Sequence, residues 1–516
     1  MPRYSFRFDE ATIGDLQARM ESGRLTSRAL VRAYLRRIDT IDRSGPGRVG
    51  LRAVLEVNPE AERIAVALDT ERRQRGPRGP LHGIPVLVKD NMDSADRLHT
   101  SAGSLALAGS RPKRDATVVE RLRAAGAVLL GKANLSEWSN IRSPRSSSGW
   151  SGRGGQTRNP YALDRSPSGS SSGSAAAVAA NLATAALGTE TDGSIVCPAA
   201  ACCVVGIKPT VGLTSRAGVI PIAHSQDTVG PICRTVTDAA TVLGALVGVD
   251  PRDPATADSR GNFHTDYRQF LDAGGLHGAR VGIPREVYYD YSPPANQVAE
   301  QAIDAIASAG AEVVDPADLP GAAEMAGFTG ELELEVLLYE LKHDLDAYLA
   351  ERDDPNIRTL ADVTAFNQAH ADAELRHFGQ EFFLAAQEKG PLTEPAYLEA
   401  LAANRRLSRE QGIDKVMDEL RLDALLVPTS TPPWTIDLVN GDHVLGEGST
   451  PAALAGYPAV SVPAGYASGL PVGVTFFGRA WSEPTLIRLA YAFEQATEVR
   501  RPPRFHAGGL DQKARS

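Results

Sequence analysis

Residues 174–187, SAAAVAANLATAAL, read as an alanine-rich helix that is apolar all the way round. A helix of that kind is stable only inside a protein, with other elements packed on every side of it. That requirement excludes a small open fold and demands a layered one. The segment feeding the helix, SPSGSSSGS (166–174), has the composition of a flexible linker. A linker has no need to run so tightly into a buried helix, and a second Gly-Ser turn follows in GTETDGSIVCPAA (188–200). Ser170 to Ser172 are therefore expected in the loop at the helix N-terminus, where free N–H groups and the positive end of the helix dipole favour a developing anion.

The rest of the chain supplies the layers. IPVLVK (84–89) has the length of a buried strand and ends on Lys89. A lysine forced out of water at that position has its pKa lowered and is suited to act as a base. TVVERLRAAGA (117–127) reads as helix and AVLLGKA (127–133) as strand, so a βαβ unit is expected around 84–133. An amphipathic helix carrying Leu30, Val31, Tyr34, Leu35 and Ile38 follows a cap at Thr26 or Ser27. Further helices are expected at 237–247, 294–310, 331–352, 394–411 and 482–497, and strands at 423–429, 459–464 and 471–478. No linker, charge block or repeat divides the 516 residues. The alternation implies an α/β fold, a single large domain with a central mixed β-sheet covered by helices on both faces.

A hydroxyl that attacks an acyl carbon must lose its proton, and a buried neutral amine is one of the few side chains able to accept it in place of histidine. Lys89, Ser170 and Ser194 can form such a relay. The order and spacing of SG-Ser170-Ser171-SG-Ser174, TETDG-Ser194-IVCPA and GIKPT (206–210) resemble the amidase signature family, closest to its peptide amidase branch. GPLHGIP (79–85), GGQTRNPY (154–161) and SQDTVGP (225–231) extend the resemblance along the chain. Ser168 and Ser172 stand where that pattern has glycine, and Val196 where it commonly has arginine.

The resemblance implies a Ser-Ser-Lys triad in which Lys89 is the base, Ser170 the bridging serine and Ser194 the nucleophile. It also implies a cis peptide bond at the bridging serine. The N–H groups of Thr191, Asp192 and Gly193 are the expected oxyanion hole, its loop fixed by Asp192. Ser139, in ANLSEWSN (133–140), matches a stretch whose backbone helps hold the substrate's amide nitrogen. The signature core is expected at about 80–240 and a variable helical region at about 320–420, with cleft walls somewhere in 320–450. The implied activity is hydrolysis of a carboxamide to carboxylic acid and ammonia through an acyl-enzyme, with C-terminal amides of peptides as substrates. The alternatives are a small-molecule amidase for aryl or aliphatic amides, and an ammonia-transferring amidotransferase subunit.

Other chemistries find little support. A net charge of −9 argues against a nucleic-acid partner. GAVLLGKA (126–133) nearly matches a phosphate-binding loop, but Ala133 removes the metal-binding hydroxyl and AVLL is strand-like. GSSSG (169–173) matches a nucleophile elbow centred on Ser171, yet YALDRSPS before it is no strand. Cys197, Cys202, Cys203 and Cys233 lack metal-ligand spacing and read as buried thiols. His82, His99 and His224 read as surface or structural residues, so no metal and no cofactor is expected. The N-terminus lacks a secretory signal and no run is long enough to span a membrane, which gives the expectation of a cytoplasmic enzyme acting on a small-molecule or short peptide amide. The oligomeric state is not fixed by these features.

Overall fold

The computed structural model describes residues 6–45, 49–325, 331–352 and 354–508. Its strands are β1 (Val54–Val57), β2 (Pro85–Lys89), β3 (Val128–Ala133), β4 (Trp150–Ser151), β5 (Gly155–Gln156), β6 (Ala185–Glu190), β7 (Val205–Lys208), β8 (Thr228–Cys233), β9 (Arg280–Gly282), β10 (Glu312–Val314), β11 (Ala424–Pro428), β12 (Ala459–Ala467) and β13 (Leu470–Phe477). Eleven of them form one sheet in the order β1-β3-β2-β6-β8-β7-β12-β13-β11-β9-β10, and β4 pairs with β5 apart from it. The pairs β3–β2, β2–β6, β11–β9 and β9–β10 are parallel and the remainder antiparallel. The sheet is therefore mixed, and helices flank it in a single α/β domain.

The expected βαβ unit is present as β2, the Thr117–Ala124 helix and β3, with Pro85 opposite Val128 and Lys89 opposite Ala133. Every residue of β2 is buried, because it lies inside the sheet with β3 and β6 as neighbours. The helices Val236–Leu246, Pro293–Ser308, Glu331–Glu351 and Glu483–Thr497 fall where periodicity placed them. The helix expected at 394–411 is α-helical over Pro395–Arg405 and continues as wider π-type turns over Arg406–Ile413. Thr26 caps the Ser27–Arg37 helix, its hydroxyl accepting the Ala29 N–H at 3.1 Å. Part of the variable region, residues 326–330 and 353, lies outside the described residues. Among the described residues no helix is long and apolar enough to cross a membrane.

The alanine-rich helix differs from expectation at both ends. It runs from Ser172 to Ala179, and residues 185–190 are not helix but the strand β6. Asn181 stops it by taking a left-handed φ of 56°, a conformation asparagine tolerates better than most residues. Its side-chain amide then exchanges two hydrogen bonds with Glu10, at 3.0 and 2.8 Å. The apolar run after it serves equally well as strand, and β6 gains ladders to both β2 and β8. At the other end Ser172 belongs to the first helical turn, its hydroxyl donating to Ser168 O at 2.6 Å, so only Ser170 and Ser171 remain ahead of the helix. All eight helical residues are buried, as their apolar pattern requires. Gly173 cannot be replaced cheaply, since a Cβ there would lie 2.4 Å from the carbonyl oxygens of Ala53 and Asn134.

Candidate functional site

Lys89 ends β2 inside the sheet, and its ammonium nitrogen is fully buried. Nζ lies 2.7 Å from Ser170 Oγ, 2.8 Å from Thr189 Oγ1 and 3.3 Å from Thr189 O. Asn91 Nδ2 donates to the same Thr189 hydroxyl at 2.9 Å. Burial brings the Lys89 amine from 10.5 down to about 7, against the opposing pull of the Asp227 and Glu190 carboxylates. Desolvation wins because nothing charged touches Nζ directly.

The two serine segments are joined through the backbone. Ser171 N–H donates to Ser194 O at 3.1 Å, and Ser136 N–H to Ser170 O at 3.1 Å. The Gly169–Ser170 peptide bond is cis. Ser170 is wholly buried, whereas Ser194 is 8% exposed. Among the described residues no hydrogen bond joins the two serine side chains. Such contacts are often long in unliganded sites and close when substrate binds.

Residues 190–196 are held from both sides. Glu190 Oε2 accepts the N–H of Ile195 at 2.6 Å and of Val196 at 2.9 Å. The Asp192 carboxylate accepts Ser449 Oγ at 2.6 Å and Thr450 Oγ1 at 2.7 Å, at the start of the Thr450–Ala455 helix. Thr191 Oγ1 donates to Asp227 Oδ1 at 2.6 Å. Gly193 takes φ 73°. Among the described residues the N–H groups of Asp192 and Gly193 meet no protein acceptor and remain available to a ligand.

Ser139 sits beside this group. Trp138, Ser139 and Asn140 all have left-handed φ, 51°, 56° and 74°, and a run of three such non-glycine residues is strained backbone of a kind that concentrates at functional sites. A small cavity of about 10 Å³ is lined by polar residues, Asn91, Ser139, Ser170, Thr191, Arg216 and Asp227 among them, and by the apolar Val219, Ile220 and Ile222. Sequence reasoning therefore named Lys89, Ser139, Ser170, Thr191, Asp192, Gly193 and Ser194, and the fold brings all seven into one region. It missed Thr189, Asn91, Asp227, Ser449 and Thr450. Thr189 was within reach of inference, lying in the motif run itself.

The decoys lie elsewhere or are otherwise engaged. Lys132 is in β3, buried, with Nζ bonded to Met92 O and to Thr100 Oγ1. The Ser171 hydroxyl donates to Thr189 O at 3.1 Å and accepts Thr189 N–H at 3.2 Å, which ties it to β6. His82 is buried against Leu68 O, His99 pairs with Glu56, and His224 pairs with Asp344. All four cysteines are buried free thiols.

The family model described as Amidase matches residues 29–487. A probable amidase of Arabidopsis thaliana is 45% identical over 98% of this chain and 93% of its own length. Peptide amidase solved in complex with the competitive inhibitor chymostatin is 53% identical, with a TM-score of 0.92, over 97% of this chain and 100% of the other. The native peptide amidase from Stenotrophomonas maltophilia gives 52% and 0.91 over 97% and 100%. On the family match across residues 29–487 and the close relatives that span nearly its whole length, this chain belongs to the amidase family and is an amide hydrolase.

Proposed function

We propose that this amidase hydrolyses C-terminal amides of peptides to the free acid and ammonia, with Lys89, Ser170 and Ser194 as its catalytic triad. The observation that carries this reading is the setting of Lys89 Nζ, buried, lowered to about 7 and, among the described residues, hydrogen-bonded to Ser170 and Thr189. A neutral amine has two N–H bonds and one lone pair. With both N–H bonds directed at Thr189, the lone pair is left for the Ser170 hydroxyl.

Lys89 accepts the proton of Ser170, Ser170 accepts that of Ser194, and Ser194 Oγ bonds to the amide carbon. The carbonyl π electrons move onto oxygen, where the N–H groups of Thr191, Asp192 and Gly193 receive the charge. Collapse of the tetrahedral species breaks the C–N bond as the relay returns a proton to the leaving nitrogen, and ammonia departs. Water then enters by the same route, adds to the acyl carbon and releases the acid, restoring Ser194. Ser139 backbone groups hold the amide nitrogen. The helical region at about 320–420 supplies walls of the cleft, the Glu331–Glu351 helix among them. The likeness to two peptide amidase structures supports the peptide substrate.

Ammonia release from a panel of dipeptide amides, set beside benzamide and acetamide, tests the proposal. Higher kcat/KM on the dipeptide amides is expected. Faster turnover of benzamide assigns the enzyme to small-molecule amides instead, and absence of ammonia from every amide refutes hydrolysis by this site.

A further inference from the structure

The candidate nucleophile loop is bordered by two carboxyl groups, Glu333 and Glu447, that form no ion pair among the described residues. Gly193, next to Ser194, is so close to Glu447 that a Cβ on it would lie 3.3 Å from Oε2. Glu447 is half-buried, and Cys197 Sγ donates to its Oε2 at 3.5 Å. Glu333 reaches the same loop from the Glu331–Glu351 helix. Gln226 Nε2 donates to its Oε1 at 2.8 Å and lies 3.5 Å from Thr191 O. Glu333 is only 2% exposed, yet its second oxygen, Oε2, meets no hydrogen-bond partner.

A buried carboxylate oxygen left unpaired is costly, and proteins seldom keep one that nothing answers. Here the neighbours add to the cost. The charges that act most on Glu333 are Asp192 and Glu447, and those on Glu447 are Asp192 and Glu190, all of them negative. Lys208, the buried cation on this side, answers Glu190 and Asp192. Asp192 is satisfied by Ser449 and Thr450. Tyr291 packs against the same turn, since a Cβ on Gly446, the residue before Glu447, would lie 2.5 Å from its Cγ. Two carboxylates and an aromatic ring together are the chemistry that recognises an ammonium or guanidinium group.

We propose that Glu333 and Glu447 form a subsite for a positively charged group on the acyl portion of the substrate, so that the enzyme prefers amides whose acyl part carries a guanidinium or ammonium. This rests on the peptide amidase reading and names its substrate class. Burial, and then mutual repulsion, push both carboxyls up, and a cation seated between them would let both ionise. The cation has two sources, a basic side chain or the free N-terminal amine of a short peptide, and either is recognised by the same pair.

The test uses two matched pairs of substrates. N-acetyl-arginine amide is compared with the isosteric neutral N-acetyl-citrulline amide, and glycyl-phenylalanine amide with N-acetylglycyl-phenylalanine amide. The cationic member of at least one pair is expected to have kcat/KM higher by roughly tenfold or more, the factor that one charge-assisted hydrogen bond supplies. The pair that shows it identifies the source. Glu447→Gln and Glu333→Gln are each expected to reduce the ratio within that pair several-fold, read within one variant so that general loss of activity cancels. Ratios at or below one in both pairs, with the neutral amides still hydrolysed, overturn the subsite and leave the hydrolase reading intact. If no amide is hydrolysed the hydrolase reading fails, and calorimetric binding of the same pairs to the folded protein decides the subsite alone: equal affinities overturn it.

Discussion

Replacing Lys89 by arginine keeps a cation at the end of β2 but removes the possibility of a neutral base, because a guanidinium stays protonated throughout the accessible pH range. At pH 7 an amine with its ordinary value of 10.5 is neutral in roughly one molecule in 3,000, whereas one lowered to about 7 is neutral in about half. The burial of Lys89 is thus worth roughly a thousandfold in available base, or about 4 kcal/mol. Ammonia release from a peptide amide should give a kcat/KM that rises through about pH 7 and then levels, and Lys89→Arg should lose roughly 10³-fold or more at every pH. Glu447, pushed up to about 8 by burial and by Asp192, could imitate that inflection, so the rise must persist in Glu447→Gln. Stability gives an independent reading. The folded amine releases its proton near 7 and the unfolded one near 10.5, so between those values the unfolded chain binds more protons and stability increases with pH. Below 7 both forms are charged and this contribution is flat. Denaturant titrations of Lys89→Met should lose up to about 1.4 kcal/mol per pH unit of slope in that window. A wild-type kcat/KM that rises only above pH 9, together with an unchanged slope in Lys89→Met, would refute the neutral amine.

Ser194→Ala should abolish turnover with the fold retained, and Ser170→Ala should cost roughly 10³-fold or more in kcat. Ser171→Ala should cost less in rate and about 1–3 kcal/mol in stability, since its hydroxyl bridges the Thr189 backbone; a serine-directed inhibitor found by mass spectrometry on Ser171 instead of Ser194 reverses the assignment. Glu190→Ala leaves two buried N–H groups unanswered and should destabilise by roughly 2–5 kcal/mol with a fall in kcat. A chemical denaturation midpoint unchanged from wild type counts against that role. Gly193→Ala forces a Cβ to 3.0 Å from both Cys197 Sγ and Ser449 Oγ at φ 73°, so kcat should drop by roughly tenfold or more for a left-handed penalty of about 1–2 kcal/mol. Normal kcat in that variant would show that the loop tolerates displacement.

What the sequence made legible follows from how local each signal is. β2 and Lys89 could be read because five apolar positions end on one charge, and the helices at 331–351 and 483–497 because their periodicity runs for several turns. β9 and β10, three residues each, are too short to carry a pattern and exist only because the sheet edge pairs them. The run at 182–187 carries no period that separates helix from strand, and the ladders to β2 and β8 decided it. In the site, the residues that bear the motifs' own chemistry were legible, whereas Thr189 and Asp227, though inside quoted motifs, and Asn91, Ser449 and Thr450 gain their part only from neighbours that folding brings from distant stretches of chain. Gln226 with Glu333 and Gly193 with Glu447 are of the same kind.

The bonds from Asp192 to Ser449 and Thr450 join positions 257 and 258 residues apart. During synthesis, Lys89, Ser170 and Ser194 all emerge long before the hydroxyls that fix the loop beside Ser194. At about 5–20 residues per second that interval is roughly 13 to 50 seconds. A nascent chain therefore carries Lys89, Ser170 and Ser194 out of the ribosome before the hydroxyls that anchor Asp192 exist, and on the triad proposed above hydrolysis is expected only once residues 449 and 450 have been added. A truncated or proteolysed product ending before residue 449 would be a folded-looking fragment with an unbraced Asp192 and no amidase activity.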